Sequence, residues 1–161
     1  MEPMGSGVWL DADEQRVWRG FLRANAALYG ALERDLRSRC GISLVEYGIL
    51  VHLSEADGRR LRMHTLAQCV IVSKSRLSHQ VARLEEAGYV RRIHCSEDRR
   101  GLWAVLTGEG LDLLERAAPG HAALVRRLLF APLGDEQTAQ LGAIVDRLSQ
   151  SAPAPEERRT G

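Results

Sequence analysis

The chain has 161 residues, 45% apolar and 27% charged, which suits one compact domain or a small domain with a helical extension; with 5% aromatics, a core must lean on Leu, Val and Ala. No apolar run approaches the roughly 20 residues that cross a bilayer, the first residues lack the basic-then-apolar pattern of a signal peptide, and Cys40, Cys69 and Cys95 are odd in number and too widely spaced for a disulfide framework or a CxxC zinc site. The net charge of +1 hides a segregation: residues 1–58 sum to −3, residues 59–100 to +6 and residues 101–161 to −2.

Asp11, with Glu14 three residues on, makes a capping box for a long first helix. Val17, Phe21, Ala24, Leu28, Leu32 and Leu36 then lay one apolar stripe along it to about Arg39, and Cys40-Gly41 ends it. A helix of that length outruns any small domain it packs on, so its stripe calls for a partner. Ser43 and Glu46 form a second capping box, opening a helix that carries Tyr47, Ile49, Leu50 and Leu53 and closes at Asp57-Gly58. Arg59, Arg60 and Arg62 read as a basic linker. A short third helix follows, with Thr65 at or near its start and Leu66, Ala67 and Val70 inward. The turn after it, Cys69-Val70-Ile71-Val72, is apolar, and Cys69 reads as buried there. Ser73 caps a fourth helix with Leu77, Val81 and Leu84 facing the core and Gly88 at its end.

The periodicity then changes. Tyr89–Ile93 reads as a strand, Ser96–Gly101 as a polar hairpin tip and Leu102–Leu106 as the return strand, with Trp103 and Val105 on one face. Thr107 caps a fifth helix in which Pro119-Gly120 predicts a kink or break. Asp135 caps a sixth carrying Leu141, Ile144, Val145 and Leu148, and the tail from Ser151 reads as disordered. The fold class is therefore mostly α with a small β-hairpin wing: a winged helix-turn-helix plus helical dimerisation regions. The expected division is 11–40 and 108–150 for dimerisation and 41–107 for the DNA-binding region, with 1–10 and 151–161 as flexible tails.

The third and fourth helices make a helix-turn-helix whose second helix opens on hydrogen-bonding side chains. Ser73, Lys74, Ser75, Arg76, Ser78 and His79 suit the first turns of a helix lying in the major groove of double-stranded DNA. Arg76 is the first candidate for reading a base, because Arg is the commonest bidentate partner of guanine. Arg83, further along, suits a phosphate. Arg99 and Arg100 at the hairpin tip suit the minor groove or backbone, and Asp98 suits the orientation of a neighbouring Arg.

Three blocks, Leu84-Glu85-Glu86-Ala87-Gly88-Tyr89-Val90-Arg91-Arg92, Glu97-Asp98-Arg99-Arg100 and Val105-Leu106-Thr107-Gly108-Glu109-Gly110, resemble the MarR family of winged helix-turn-helix regulators in order and spacing. The resemblance spans about residues 11–150. It implies a cytoplasmic homodimer built on the first, fifth and sixth helices and bound to a pseudo-palindromic operator. It also implies repression relieved by a small ligand, often phenolic, or by thiol oxidation. Under it, Ser73 to Arg83 form the reading helix and Asp98, Arg99 and Arg100 the wing.

A ligand pocket between the dimer helices and the DNA-binding lobe would draw on Trp18, Tyr29, Tyr47 and His64, although core and surface placements for these four are slightly favoured. Cys40, close to Arg37 and Arg39, is the candidate for a redox-sensing alternative, with incidental thiols well ahead of it. The five histidines show no metal-ligand spacing, and no cofactor is expected. No nucleophile–base pair, Gly-rich phosphate loop or carboxylate dyad marks an enzyme. The alternative from another class is a winged-helix module that binds protein instead of DNA.

Overall fold

The computed structural model describes residues 9–94 and 101–151. Its elements are α1 (Ala12–Cys40), α2 (Leu44–Glu55), β1 (Arg60–Arg62), α3 (Met63–Cys69), α4 (Lys74–Glu86), β2 (Val90–His94), β3 (Leu102–Leu106), α5 (Gly108–Val125) and α6 (Asp135–Ser151). A 3₁₀ turn at Asp57–Arg59 leads into β1, and a π-helical turn at Arg126–Phe130 follows α5. The strands form one antiparallel sheet in the order β1-β3-β2.

Helix starts follow the capping chemistry of the sequence. Both capping boxes close, Asp11 with Glu14 and Ser43 with Glu46. Ser73 accepts from the Arg76 N–H and Thr107 from the Gly110 N–H, so α4 and α5 also begin on hydroxyl caps. Thr65 lies inside α3, which has no side-chain cap. Asp135 is the first residue of α6.

The core lies where α2, α3, α4 and the start of α5 meet the inner face of the sheet. Leu36, Ile49, Leu50, Leu53, Leu66, Leu77, Val81, Leu84 and Val90 are almost completely buried. On α1 only Leu32 and Leu36 reach burial; Val17, Trp18, Phe21 and Leu22 stand exposed, with Trp18 stacked on Phe21. No residue of α6 is buried, and Ile144, Val145 and Leu148 are open to solvent.

Three expectations change. The basic linker is a strand: Arg60, Leu61 and Arg62 pair with Val105, Ala104 and Trp103. Only Leu61 carries an apolar signal there, because Arg60 and Arg62 point outward and stack their guanidinium groups on Trp103 at 4.8 and 4.9 Å. The fifth helix runs through Pro119-Gly120 without a break, and its irregularity lies later, where the Ala131 N–H reaches the Arg126 carbonyl. A proline deletes one helical hydrogen bond, but Ala117, two residues before it, is fully buried and α5 packs against α1. Cys69 is exposed, since the last turn of α3 directs it away from the core.

Two helices end in the same way. After α4, the Gly88 N–H bonds the Glu85 carbonyl and the Tyr89 N–H bonds the Leu84 carbonyl, with Gly88 at φ 82°. This is the Schellman motif, whose left-handed residue is usually glycine. After α3, the Ile71 N–H bonds the Gln68 carbonyl and the Val72 N–H bonds the Ala67 carbonyl, with Ile71 at φ 53°. A β-branched residue in that conformation costs about 1–2 kcal/mol, and Ile71 recovers none of it by burial, being 83% exposed.

Gly110 answers a different need. A Cβ there would collide with the Tyr89 carbonyl, where the first turn of α5 crosses the start of β2. Gly110→Ala should therefore cost about 1–3 kcal/mol in denaturant unfolding, as overpacked sites do; a wild-type midpoint would show that the crossing gives way freely.

His121 on α5 stacks against Tyr47 on α2, centroids 4.4 Å apart, and its Nδ1 is buried without a partner. Burial holds its imidazole below the ordinary 6.5, with nearby Arg39 acting in the same sense and Asp35 opposing. The unfolded chain accepts a proton that the folded chain resists. Stability is therefore complete above the ordinary value and falls as pH drops through it toward the lower folded value. His121→Phe should shrink the stability difference between about pH 7.5 and about pH 5.5 in urea titrations; an undiminished difference would place the sensitivity elsewhere.

Candidate nucleic-acid interface

Helix α4 divides cleanly. Leu77, Val81 and Leu84 are buried, and Ser73, Lys74, Ser75, Arg76, Ser78 and His79 are exposed. The first turn holds no acidic residue. Its free N–H groups and the positive end of the helix dipole add to Lys74 and Arg76. Neither of these cations is engaged in an ion pair among the described residues. The result is a convex, cationic surface rich in donors, suited to phosphates and to the acceptor edge of guanine.

Carboxylates anchor the C-terminal end of this helix. Glu46, buried at the start of α2, accepts from the Ser43 N–H at 2.7 Å and from Arg83 Nε at 3.0 Å. Ser43 Oγ also lies 3.4 Å from the Gln80 amide oxygen. Glu33 of α1 accepts from the Leu44 N–H and from Arg37 Nε, both at 2.6 Å, and so holds the same helix start. In the same last turn of α4, Glu85 accepts from the Arg92 N–H and Nε, each at 2.8 Å, joining the helix to β2. The backbone N–H of Arg92, and next its guanidinium, hold the Glu85 carboxyl below its ordinary value.

Arg83 thus has a structural partner, although half of its side chain remains exposed. The tip residues Asp98, Arg99 and Arg100, with Cys95, lie outside the described residues; β2 and β3 form the described base of that hairpin. The four ligand candidates are not gathered into one lining. Trp18 and Tyr29 stand exposed on α1, Tyr47 is in the core against His121, and His64 is exposed beside Thr65. The arginines beside Cys40 are already engaged, Arg37 by Glu33 and Arg39 by Asp35. Among the described residues, no three His, Cys, Asp or Glu side chains gather into a metal site, and no helix is long and apolar enough to cross a membrane.

Sequence reasoning missed Glu33, Glu85 and the Arg60–Trp103–Arg62 stack as positioning elements, and saw Glu46 only as a cap. The available signal was the buried half of α4, which needs polar anchors at its edges.

The same arrangement is found in known proteins. The MarR family model matches residues 41–101, which run from just before α2 to the residue before β3. Sco3205 from Streptomyces coelicolor, described as a MarR family transcriptional regulator in complex with DNA, is 44% identical, with a TM-score of 0.87 over 95% of this chain and 96% of that one. The chain belongs to the MarR family. Another MarR family regulator from the same organism, AbsC, is also 44% identical, with a TM-score of 0.83 over 88% of this chain and 95% of that one. The transcriptional repressor YetL of Bacillus subtilis is 31% identical over 143 residues, 87% of this chain and 85% of its own. Membership makes this chain a DNA-binding transcriptional regulator and not an enzyme.

The Glu85 clasp yields a prediction with a worked sign. A carboxyl held below its ordinary value contributes stability above that value, and the contribution disappears as pH falls through the lower folded value. Glu85→Gln should cost about 1.5–3 kcal/mol at neutral pH, the range for a hydrogen bond to a charged group, and should flatten the acid limb of the stability profile. Unfolding curves at neutral and acidic pH check both, and an acid limb of unchanged slope would assign the effect to other carboxylates.

Proposed function

We propose that this MarR-family chain acts in the cytoplasm as a homodimeric repressor of a pseudo-palindromic operator, with α4 in the major groove and the hairpin tip on the flanking backbone or minor groove. The observation that carries this reading is the cationic start of α4, unpaired among the described residues, on a helix whose far end is anchored through Glu46 and Glu85. Arg76 is the base reader, supported by Ser73, Lys74, Ser75, Ser78 and His79. Arg99 and Arg100 supply backbone affinity, and Asp98 orients one of them. Arg83 serves the clasp first and a phosphate second.

The dimer reading rests on unfilled apolar surface. Val17, Trp18, Phe21 and Leu22 of α1 and Ile144, Val145 and Leu148 of α6 are exposed in a single chain, more than isolated surface residues account for. In this reading 11–40 and 108–150 dimerise and 41–107 bind DNA. The effector is a small aromatic acid or phenol at the cleft between these parts, where Trp18 and Tyr29 meet the second protomer; Tyr47 and His64 lie further in and at the lobe edge.

Sedimentation should give a dimer, and Phe21→Asp with Val145→Asp should give a folded monomer with weakened operator binding; an unchanged sedimentation coefficient would move the interface elsewhere. Gel shifts against the chain's own upstream region should show tight, salt-sensitive binding. Arg99→Ala and Arg100→Ala should weaken all DNA and flatten the salt slope, while Arg76→Ala should also relax base preference. Equal binding of operator and random DNA by the wild type would end this reading. Titrating a panel of phenolic acids into the same assay tests the effector, which must release the operator at a saturable concentration.

A further inference from the structure

The turn between α3 and α4 contains a residue that its own fold does not want. Ile71 occupies the left-handed position of a Schellman motif, and the same motif at the end of α4 holds Gly88. Among the described residues only Arg59 shares this conformation without being glycine, and Arg59 is polar where Ile71 is not. The flanking Val70 and Val72 pack partly against the core, but Ile71 does not and is 83% exposed. The chain therefore sustains two penalties at one position, a strained backbone and an apolar side chain in water. Either is removed by glycine or asparagine, both of which this conformation accepts.

Strain held without compensation inside the fold points to a use outside it. Ile71 lies two residues before Ser73, the cap of the proposed reading helix, and Lys74 and Arg76 follow on the same exposed segment. Resting on the proposed placement of α4, we infer that Ile71 is a sequence-reading residue whose occupant is the C5-methyl group of a thymine at the edge of the major groove. The methyl is the apolar feature that DNA presents there, and it distinguishes thymine from cytosine at a position where hydrogen-bonding side chains give no contact. The rigid Schellman bonds serve the contact: the turn is anchored to α3 by two backbone hydrogen bonds, at 3.3 Å for Ile71 and 3.2 Å for Val72, so the side chain is presented without a search.

The test pairs protein and DNA substitutions. Ile71→Gly and Ile71→Asn should keep or raise the unfolding midpoint, and should bind the operator about tenfold more weakly, as the loss of a few buried methyl-sized groups implies. Operators are then made with single thymines replaced by deoxyuridine, which removes only the methyl. At one position, the replacement should weaken the wild type about three- to fivefold, on the scale of one methyl, and should cost the variants nothing further. Variants that bind like the wild type overturn the inference. So does a deoxyuridine penalty that is the same in wild type and variants at every position. So does a lowered midpoint in both variants, which would make Ile71 a fold residue. Arg76→Ala is run alongside: if it loses specific binding and Ile71→Gly does not, only this inference fails, whereas if neither affects specific binding, the placement of α4 in the groove fails with it.

Discussion

The carboxylate of Glu46 is where α4, the proposed reading helix, is fixed to α2. It is a buried charge, and a buried charge is tolerated only when its lone pairs are filled. Here one oxygen closes the cap of α2 through the Ser43 N–H, and the other receives Arg83 from α4. Breaking this arrangement would leave an uncompensated charge in the core, which is more costly than the pair is stabilising. The orientation of α4 relative to α2 is therefore set by a contact that resists loosening. Glu33 secures the same start of α2 from α1, and Glu85, two residues after Arg83, secures the end of α4 to the sheet, so α4 is anchored at its last turn while its cationic first turn faces outward.

This division of charge explains how a chain of net charge +1 presents a basic face. Of the middle segment's arginines, Arg83 and Arg92 are taken by Glu46 and Glu85. Arg60 and Arg62 are drawn onto Trp103 at the base of the hairpin. Lys74 and Arg76 remain outward on the one helix whose N-terminal dipole adds to their field. Most of the exposed large apolar side chains lie on α1 and α6, remote in sequence from α4.

Much of this was legible in the sequence because the signals were local. Asp11, Ser43, Ser73 and Thr107 cap helices by side-chain bonds to neighbours a few residues away, and the Leu77, Val81, Leu84 spacing sorts α4 into two faces without knowledge of the fold. What was not legible depended on contacts distant in sequence. β1 is three residues long with arginines at both ends, and it becomes a strand only because β3 lies beside it. Pro119 reads as a breaker on its own, yet α5 continues through it because α1 packs alongside. That Arg83 also has a structural partner could not be read locally, because Glu46, which takes its Nε, lies 37 residues earlier. Of the aromatic residues grouped as a ligand lining, Tyr47 turns into the core and Trp18 turns out of it, a difference their composition did not disclose.

The clasp and the reading surface are one device if strain at Glu46 reaches the DNA, and a double-mutant cycle decides it. Glu46→Gln, Arg83→Met and the pair together are compared for unfolding free energy and for operator affinity. If Arg83 acts through Glu46, each single change weakens both properties and the double change adds little to the worse single one, a coupling of about 1 kcal/mol or more in each. If affinity losses simply add, Arg83 works on the phosphate alone; if stability falls while affinity holds, α4 keeps its orientation without Glu46, and the account of how this surface is presented is wrong.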